Sequence, residues 1–89
     1  MKTIHKYTLE LTDVQSVGMP TGATVLSAQV QREIVCVWAL VDTDRPLTPR
    51  LFHVIGTGNP ASLPADATFV GTVHLYGGQL VFHVFQSGS

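Results

Sequence analysis

The stretch Thr68–Gln86, TFVGTVHLYGGQLVFHVFQ, contains two apolar segments separated by Gly77-Gly78. A pair of glycines suits the tight turn of a hairpin, because both central residues of that turn need a positive φ. Pairing the segments outward from the turn places Tyr76 opposite Gln79, Leu75 opposite Leu80 and Thr72 opposite His83. Alternation along each strand then predicts one core-facing side and one side of mixed polarity. The core-facing side carries Phe69, Gly71, Val73, Leu75, Leu80, Phe82 and Val84, and the mixed side carries Val70, Thr72, His74, Tyr76, Gln79, Val81, His83 and Phe85.

The rest of the chain repeats this pattern of short β-favouring segments bounded by glycine, proline and polar residues. The longest apolar pair is Thr24–Gln31 and Ile34–Asp42, separated by Arg32-Glu33. A two-residue hairpin would oppose Val30 to Val35, but Arg-Glu is poor chemistry for such a turn, and a longer loop stays open. The further predicted strands are Thr3–Leu11, Gln15–Met19 and Arg50–Ile55.

These segments predict one all-β domain over residues 1–86, with a disordered C-terminal end over residues 87–89. Six to seven strands in 89 residues indicate a small antiparallel sandwich or a partly open barrel. The strand within Ile34–Asp42 is apolar on both faces, so we expect it to be central or to meet another subunit.

Charged residues make up 12% of the chain, about half the usual fraction of a soluble domain. So few charges leave much of the exterior to apolar, serine, threonine, glycine or amide groups, and strand edges and a half-apolar outer face need to be covered. We therefore predict a homo-oligomer. The candidate interface residues lie on the two-sided apolar strand and on the mixed side of the last hairpin; they are Trp38, His74, Tyr76, His83 and Phe85.

The segment Gly56-Thr57-Gly58-Asn59 follows an apolar strand and could turn several backbone N–H groups toward one anion. A tight turn or bulge is the alternative interpretation, because neither a P-loop nor a dinucleotide pattern is complete. The neighbouring Arg45 and Arg50 favour the anion hypothesis, since guanidinium groups bind phosphate through two hydrogen bonds. Arg50 begins the strand that ends in the loop, roughly 20 Å away, so the two could act together only across a subunit interface.

Other chemistries lack a complete set of residues. His74 and His83 share a face of the last hairpin and lie diagonal to each other, but two ligands do not complete a zinc site, so no metal or cofactor is predicted. Cys36 lies within an apolar strand, where a thiol is inert, and no catalytic residue or enzyme activity is predicted. A net charge of −1 argues against nucleic-acid binding. No apolar run is long enough for a membrane helix.

Seven segments in one register resemble an uncharacterised family of short all-β proteins encoded by bacteriophages and prophages. The chain departs from the family pattern at Arg32-Glu33, where an Asn-Gly-like turn is expected. The resemblance transfers no catalytic residue and implies a phage gene product that acts in the host cytoplasm. The segments that carry it are His5–Glu10, Met19-Pro20 with Gly22-Ala23, Leu26–Gln31, Trp38–Asp42, Val54–Gly58, Gly71–Val73 and Val81–Phe85.

The resulting hypothesis is a non-enzymatic, oligomeric binding module that antagonises host antiviral defence. It would sequester a small anionic nucleotide signal or block a host protein, with a ligand held where loops and a sheet face converge between subunits. The alternative is a structural or assembly component of the phage particle.

Overall fold

The fold is a sandwich of two antiparallel sheets, described for residues 1–88 by a computed structural model. The three-stranded sheet has the order β1-β4-β3 and the four-stranded sheet the order β2-β5-β7-β6. The all-β prediction is confirmed, and of its two forms the sandwich is correct, because the sheets do not close into a barrel. The strands are β1 (Lys2–Leu9), β2 (Gln15–Pro20), β3 (Thr24–Gln31), β4 (Ile34–Asp42), β5 (Leu47–Gly56), β6 (Thr68–Leu75) and β7 (Leu80–Ser87), with a 3₁₀ turn at Tyr76–Gly78.

The β3–β4 hairpin has the predicted two-residue register, with Val30 opposite Val35 and Gln31 opposite Ile34. Its turn residues Arg32 and Glu33 have φ of 54° and 62°. Both therefore adopt the left-handed conformation that this turn requires and that non-glycine residues rarely occupy. Only two residues separate β3 from β4, and this short separation sets the register of the hairpin. Arg32 and Glu33 must therefore adopt a positive φ although neither is glycine.

The β6–β7 hairpin also has the predicted register, from Leu75 opposite Leu80 to Thr72 opposite His83. Its turn is longer than a two-residue loop, because Tyr76 leaves the ladder and enters the 3₁₀ turn with φ of 51°. Gln79 closes that turn by donating its backbone N–H to the carbonyl oxygen of Tyr76 at 3.3 Å.

Two face assignments in this hairpin, those of Phe69 and Val70, are wrong, because β6 contains a bulge between Phe69 and Gly71. The extra residue, Val70, reverses the alternation on its N-terminal side. Phe69 consequently lies opposite Phe85 on the outer face, where its side chain is exposed, while Val70 packs against the core. A second bulge, between Val25 and Ser27 of β3, leaves Leu26 exposed.

The core lies between the sheets and takes alternate residues from both. On the four-stranded sheet Phe52, Val54 and Val84 point inward and are fully or almost fully buried. β4 is the central strand of its sheet, as predicted. Its inward-facing residues Val35, Val37, Ala39 and Val41 are buried in the core.

Residues 57–67 connect β5 to β6, two parallel strands that flank β7. The connection therefore crosses β7 on the outer face of the four-stranded sheet, since the inner face packs against the other sheet. His53 and Ile55, which point to that outer face, are buried, and His53 Nε2 lies 2.9 Å from Ser87 Oγ. Ser87, which was predicted to lie in the C-terminal end, is the last residue of β7 and is also buried, whereas Ser89 lies outside the described residues.

Candidate functional site

The candidate site is a cleft at the end of the sandwich where β5 begins and β7 ends. We call it the Arg50 cleft; its volume is about 310 Å³. Arg50 shares the inward side of β5 with Phe52 and Val54, so alternation directs its side chain between the sheets rather than into solvent. The other residues that line the cleft include Thr24, Val25, Asp66, Thr68, Gln86 and Gly88.

The Arg50 side chain is 93% buried and bonded to neutral groups. One terminal nitrogen donates to Gln86 Oε1 at 2.7 Å and the other to the carbonyl oxygen of Ala23 at 2.8 Å. A guanidinium carries five N–H groups, so these two bonds leave donor capacity at the cleft. Within residues 1–88 the ion pairs are those of the Met1 amino group with Asp42 and Asp44, and Arg50 forms none.

Asp66 is the acidic residue of the Arg50 cleft. Its Oδ2 accepts a hydrogen bond from the backbone N–H of Gly88 at 3.1 Å, and the side chain stays exposed at the rim. The cleft thus presents a cation deep inside and an anion at its mouth. A ligand that carries both a negative group and hydrogen-bond donors matches this arrangement.

Arg45 lies at the same end of the sandwich but outside the Arg50 cleft. It lines a smaller cavity of about 190 Å³ with Lys2 and Asp42, and Thr24 lines both cavities. The backbone N–H of Arg45 donates to the carbonyl oxygen of Asp42 at 3.1 Å, which fixes the β4–β5 turn. The two predicted arginines therefore line separate cavities that share Thr24.

The Gly56–Asn59 loop lies at the opposite end of β5, so the structure does not bring it to the arginines. Two of its N–H groups are used internally: Thr57 donates to the carbonyl oxygen of Val81 and Asn59 to that of Gly56. A Cβ on Gly56 would lie 2.8 Å from Asn59 Nδ2, which is the end of a flexible, exposed side chain. These contacts describe a tight turn bonded to β7, and anion binding by this loop stays a prediction.

Both ring nitrogens of His83 lie within hydrogen-bond distance of a threonine hydroxyl group. Nε2 lies 2.7 Å from Thr57 Oγ1 and Nδ1 lies 2.9 Å from Thr72 Oγ1. His74 occupies the same face of the hairpin, as predicted, opposite Val81. Residues 1–88 contain no group of three or more histidine, cysteine or acidic side chains arranged to hold a metal. Through its contacts with Thr57 and Thr72, the His83 ring links the Gly56–Asn59 loop to β6.

The predicted interface residues fall on different surfaces. Trp38 lies on the outer face of the three-stranded sheet and is half-buried. His74, His83 and Phe85 lie on the outer face of the four-stranded sheet, where Phe85 packs edge-on against Phe69 with ring centroids 5.4 Å apart. Tyr76 is exposed in the turn beside them. A role in self-association stays a prediction for each.

Sequence reasoning missed Gln86 and Asp66 as members of the Arg50 cleft. Gln86 shares the inward side of β7 with Val84 and Phe82, and a polar residue at an inward position signals a buried partner. Asp66 gave no comparable signal, because it lies in the connection between β5 and β6.

A family model described as Domain of unknown function (DUF7352) matches residues 1–89. The chain belongs to this family. The membership agrees with the expectation of an uncharacterised family. No curated protein and no solved structure matches the chain. Across residues 1–88 there is no helix with the length and apolar character needed to cross a membrane.

Proposed function

We propose that the protein is a non-enzymatic binding module that holds a small, phosphate-bearing ligand of the nucleotide class in the Arg50 cleft. The supporting observation is the buried Arg50 guanidinium, which has no carboxylate partner within residues 1–88. A buried charge is costly unless it is paired, so an anion that enters the cleft supplies the missing partner. Phosphate suits the role, because a guanidinium binds two of its oxygens at once.

The other groups of the cleft fit the remainder of a nucleotide. Thr24 and Thr68 offer hydroxyl groups, and Asp66 can accept hydrogen bonds from a ribose hydroxyl or an exocyclic amine. A volume of about 310 Å³ is at the lower end for ligand cavities, so the cleft favours a mononucleotide over a larger ligand.

The biological role that we propose is sequestration of a nucleotide signal of antiviral defence by a phage-encoded protein in the host cytoplasm. The resemblance to short phage and prophage proteins supports this origin, and the cleft supplies the chemistry for retention of a nucleotide. Sequestration requires only tight binding in a stoichiometric complex, which a small protein without catalytic groups can provide.

The experiment is titration calorimetry of the protein against linear and cyclic adenine and guanine nucleotides. We expect saturable binding that weakens by about tenfold or more in Arg50→Gln, which loses the charge-assisted hydrogen bonds. Arg32→Gln is the matched control, because it removes the same charge from an exposed turn at the other end of the sandwich. Circular dichroism checks that each variant folds. Absence of heat for every nucleotide at millimolar concentration would refute the proposal.

A second candidate function is a structural role in a particle, favoured by exposed apolar residues on the outer face of the three-stranded sheet. Ile4, Leu40 and Ile34 share that face and are 56%, 40% and 48% exposed. This candidate predicts that the protein is found in purified phage particles and assembles without any small ligand. Its absence from particles would exclude it.

A further inference from the structure

The two sheets have four edge strands, and three of these edges are blocked. β3 and β6 each carry a bulge, which twists an edge and interrupts the regular row of backbone groups. β2 has only six residues and ends at Pro20, which has no N–H to donate. Sheet edges protected in these ways pair poorly with another strand.

The remaining edge, β1, has none of these features. Its eight residues pair with β4 in one unbroken register, from Lys2 opposite Asp42 to Leu9 opposite Val35. No described strand pairs along its other side. Leu9 is the one residue of β1 that is buried. A long, regular and open edge is a template for a further strand.

We infer that a second copy of this chain pairs antiparallel with β1 about a two-fold axis, which joins the two three-stranded sheets into one continuous sheet. A two-fold arrangement is the commonest form of self-association and brings each edge to its identical counterpart. The inference concerns self-association and is independent of ligand binding in the Arg50 cleft.

Side-chain alternation and charge select the register. In a continuous sheet, opposed residues must share a face, so even-numbered residues of β1 face even-numbered residues of the second copy. With His5 opposite His5 of the second copy, seven residues pair, Lys2 faces Thr8, and Ile4 faces Lys6. A shift of the two-fold centre to Lys6 places two lysines directly opposite each other, and a shift to Ile4 places Lys2 opposite Lys6. Like charges directly opposed destabilise a pair of strands, so the His5 register is preferred.

The outer face of the sheet adds an apolar contribution in this register. Ile4 lies beside Leu40, its partner on β4, and Lys6 lies beside Trp38. In the pair of chains, Ile4 lies diagonal to Ile4 of the second copy across the two-fold axis, while Lys6 Nζ reaches across β4 and donates to Gln31 Oε1 at 2.6 Å. The exposed apolar residues of the two copies are thereby brought onto one surface.

Sedimentation velocity over micromolar to submillimolar concentrations tests the inference. We expect the wild-type chain to reach dimer mass, and His5→Lys and His5→Glu each to weaken dimerisation by about tenfold or more through like-charge repulsion at the axis. An equimolar mixture of the two variants should recover dimer mass, because the opposed charges at the axis then attract each other. His74→Lys is the matched control, because it places the same charge on an exposed histidine of the other sheet.

Covalent trapping gives a second measurement that does not depend on charge. His5→Cys places two thiols on directly opposed residues, within the range of separations that a disulfide bridges, whereas Cys36 is buried. Mild oxidation should yield a cross-linked dimer from His5→Cys and none from His74→Cys. A wild-type chain that stays monomeric, or a His5→Lys variant that dimerises as well as wild type, would overturn the inference.

Discussion

Glu33 accepts a hydrogen bond from the backbone N–H of Tyr76 at 2.7 Å, which ties the turn of the β3–β4 hairpin to the turn of the β6–β7 hairpin. The two residues belong to turns of different sheets, and both have a left-handed φ. A charged acceptor thus links two strained turns across the end of the sandwich. Left-handed non-glycine residues persist only where their surroundings hold them, and this bond is one such restraint.

Removal of the Glu33 carboxylate should loosen both turns. We expect Glu33→Ala to lower the free energy of unfolding by about 1 kcal/mol, since a charge-assisted hydrogen bond is lost at an exposed site. Glu33→Gln keeps an acceptor oxygen and should lose less than half of that. Urea denaturation measures both values, and equal losses in the two variants would contradict a role for the bond.

A substitution at the neighbouring turn residue, Arg32, should raise the free energy of unfolding rather than lower it. Arg32 has φ of 54°, and asparagine tolerates this conformation better than arginine does. We expect Arg32→Asn to raise the free energy of unfolding by about 0.5 kcal/mol or more by relief of backbone strain. Arg32→Ala, which removes the same charge but gains no tolerance of positive φ, is the control. A gain as large in the alanine variant would point to charge rather than strain.

The bulge in β6 predicts very different costs for two phenylalanines. Phe52 is fully buried in the core, so Phe52→Ala should cost about 3–5 kcal/mol. Phe69 is 59% exposed and contacts Phe85 edge-on, so Phe69→Ala should cost about 1 kcal/mol. Chemical denaturation of both variants measures the two losses of unfolding free energy. Without the bulge Phe69 would face the core, and its loss would be as costly as that of Phe52.

The pKa of Asp42 sets a pH dependence of stability. The backbone N–H of Asp44 donates to Asp42 Oδ1 at 3.1 Å and, with the Met1 amino group, holds the pKa of Asp42 below its ordinary value of 3.8. A folded-state pKa below the unfolded value gives stabilisation that is complete above that unfolded value and is lost as the pH falls through the folded value. The stability difference between wild type and Asp42→Asn should therefore be largest near neutral pH and shrink below about pH 4.

Denaturation curves at pH 6 and pH 3, together with an NMR titration of the Asp42 carboxyl carbon, provide the test. An Asp42 midpoint at or above 3.8 would contradict the geometry at this turn. A difference between the two proteins that does not change with pH would contradict it as well.

Most of the fold was predictable from local pattern. The registers of both hairpins follow from the alternation of apolar residues and the short separation of their strands, and they agree with the structure from Thr72 to Leu75 and from Ser27 to Val30. The bulges were not predictable, because Leu26 and Val70 are ordinary strand residues. The tolerance of Arg32-Glu33 in a tight turn depends in part on Tyr76, a contact between distant parts of the chain.

The candidate site was predictable only in part. Arg50 was identified for its guanidinium, but the proposed companions Gly56–Asn59 lie at the other end of β5. Its actual neighbours come from three other segments: the β2–β3 turn at Ala23, the crossover at Asp66 and β7 at Gln86. How the two sheets meet at that end is a matter of tertiary packing, which strand alternation alone does not specify.

The position of β7 between β5 and β6 has a consequence during synthesis. β7, which pairs with both β5 and β6, is the last of the seven strands in chain order. Until residues 80–87 have been synthesised, β6 has no ladder partner and β5 lacks one of its two partners. The four-stranded sheet can therefore close only after the segment that forms β7 has been made.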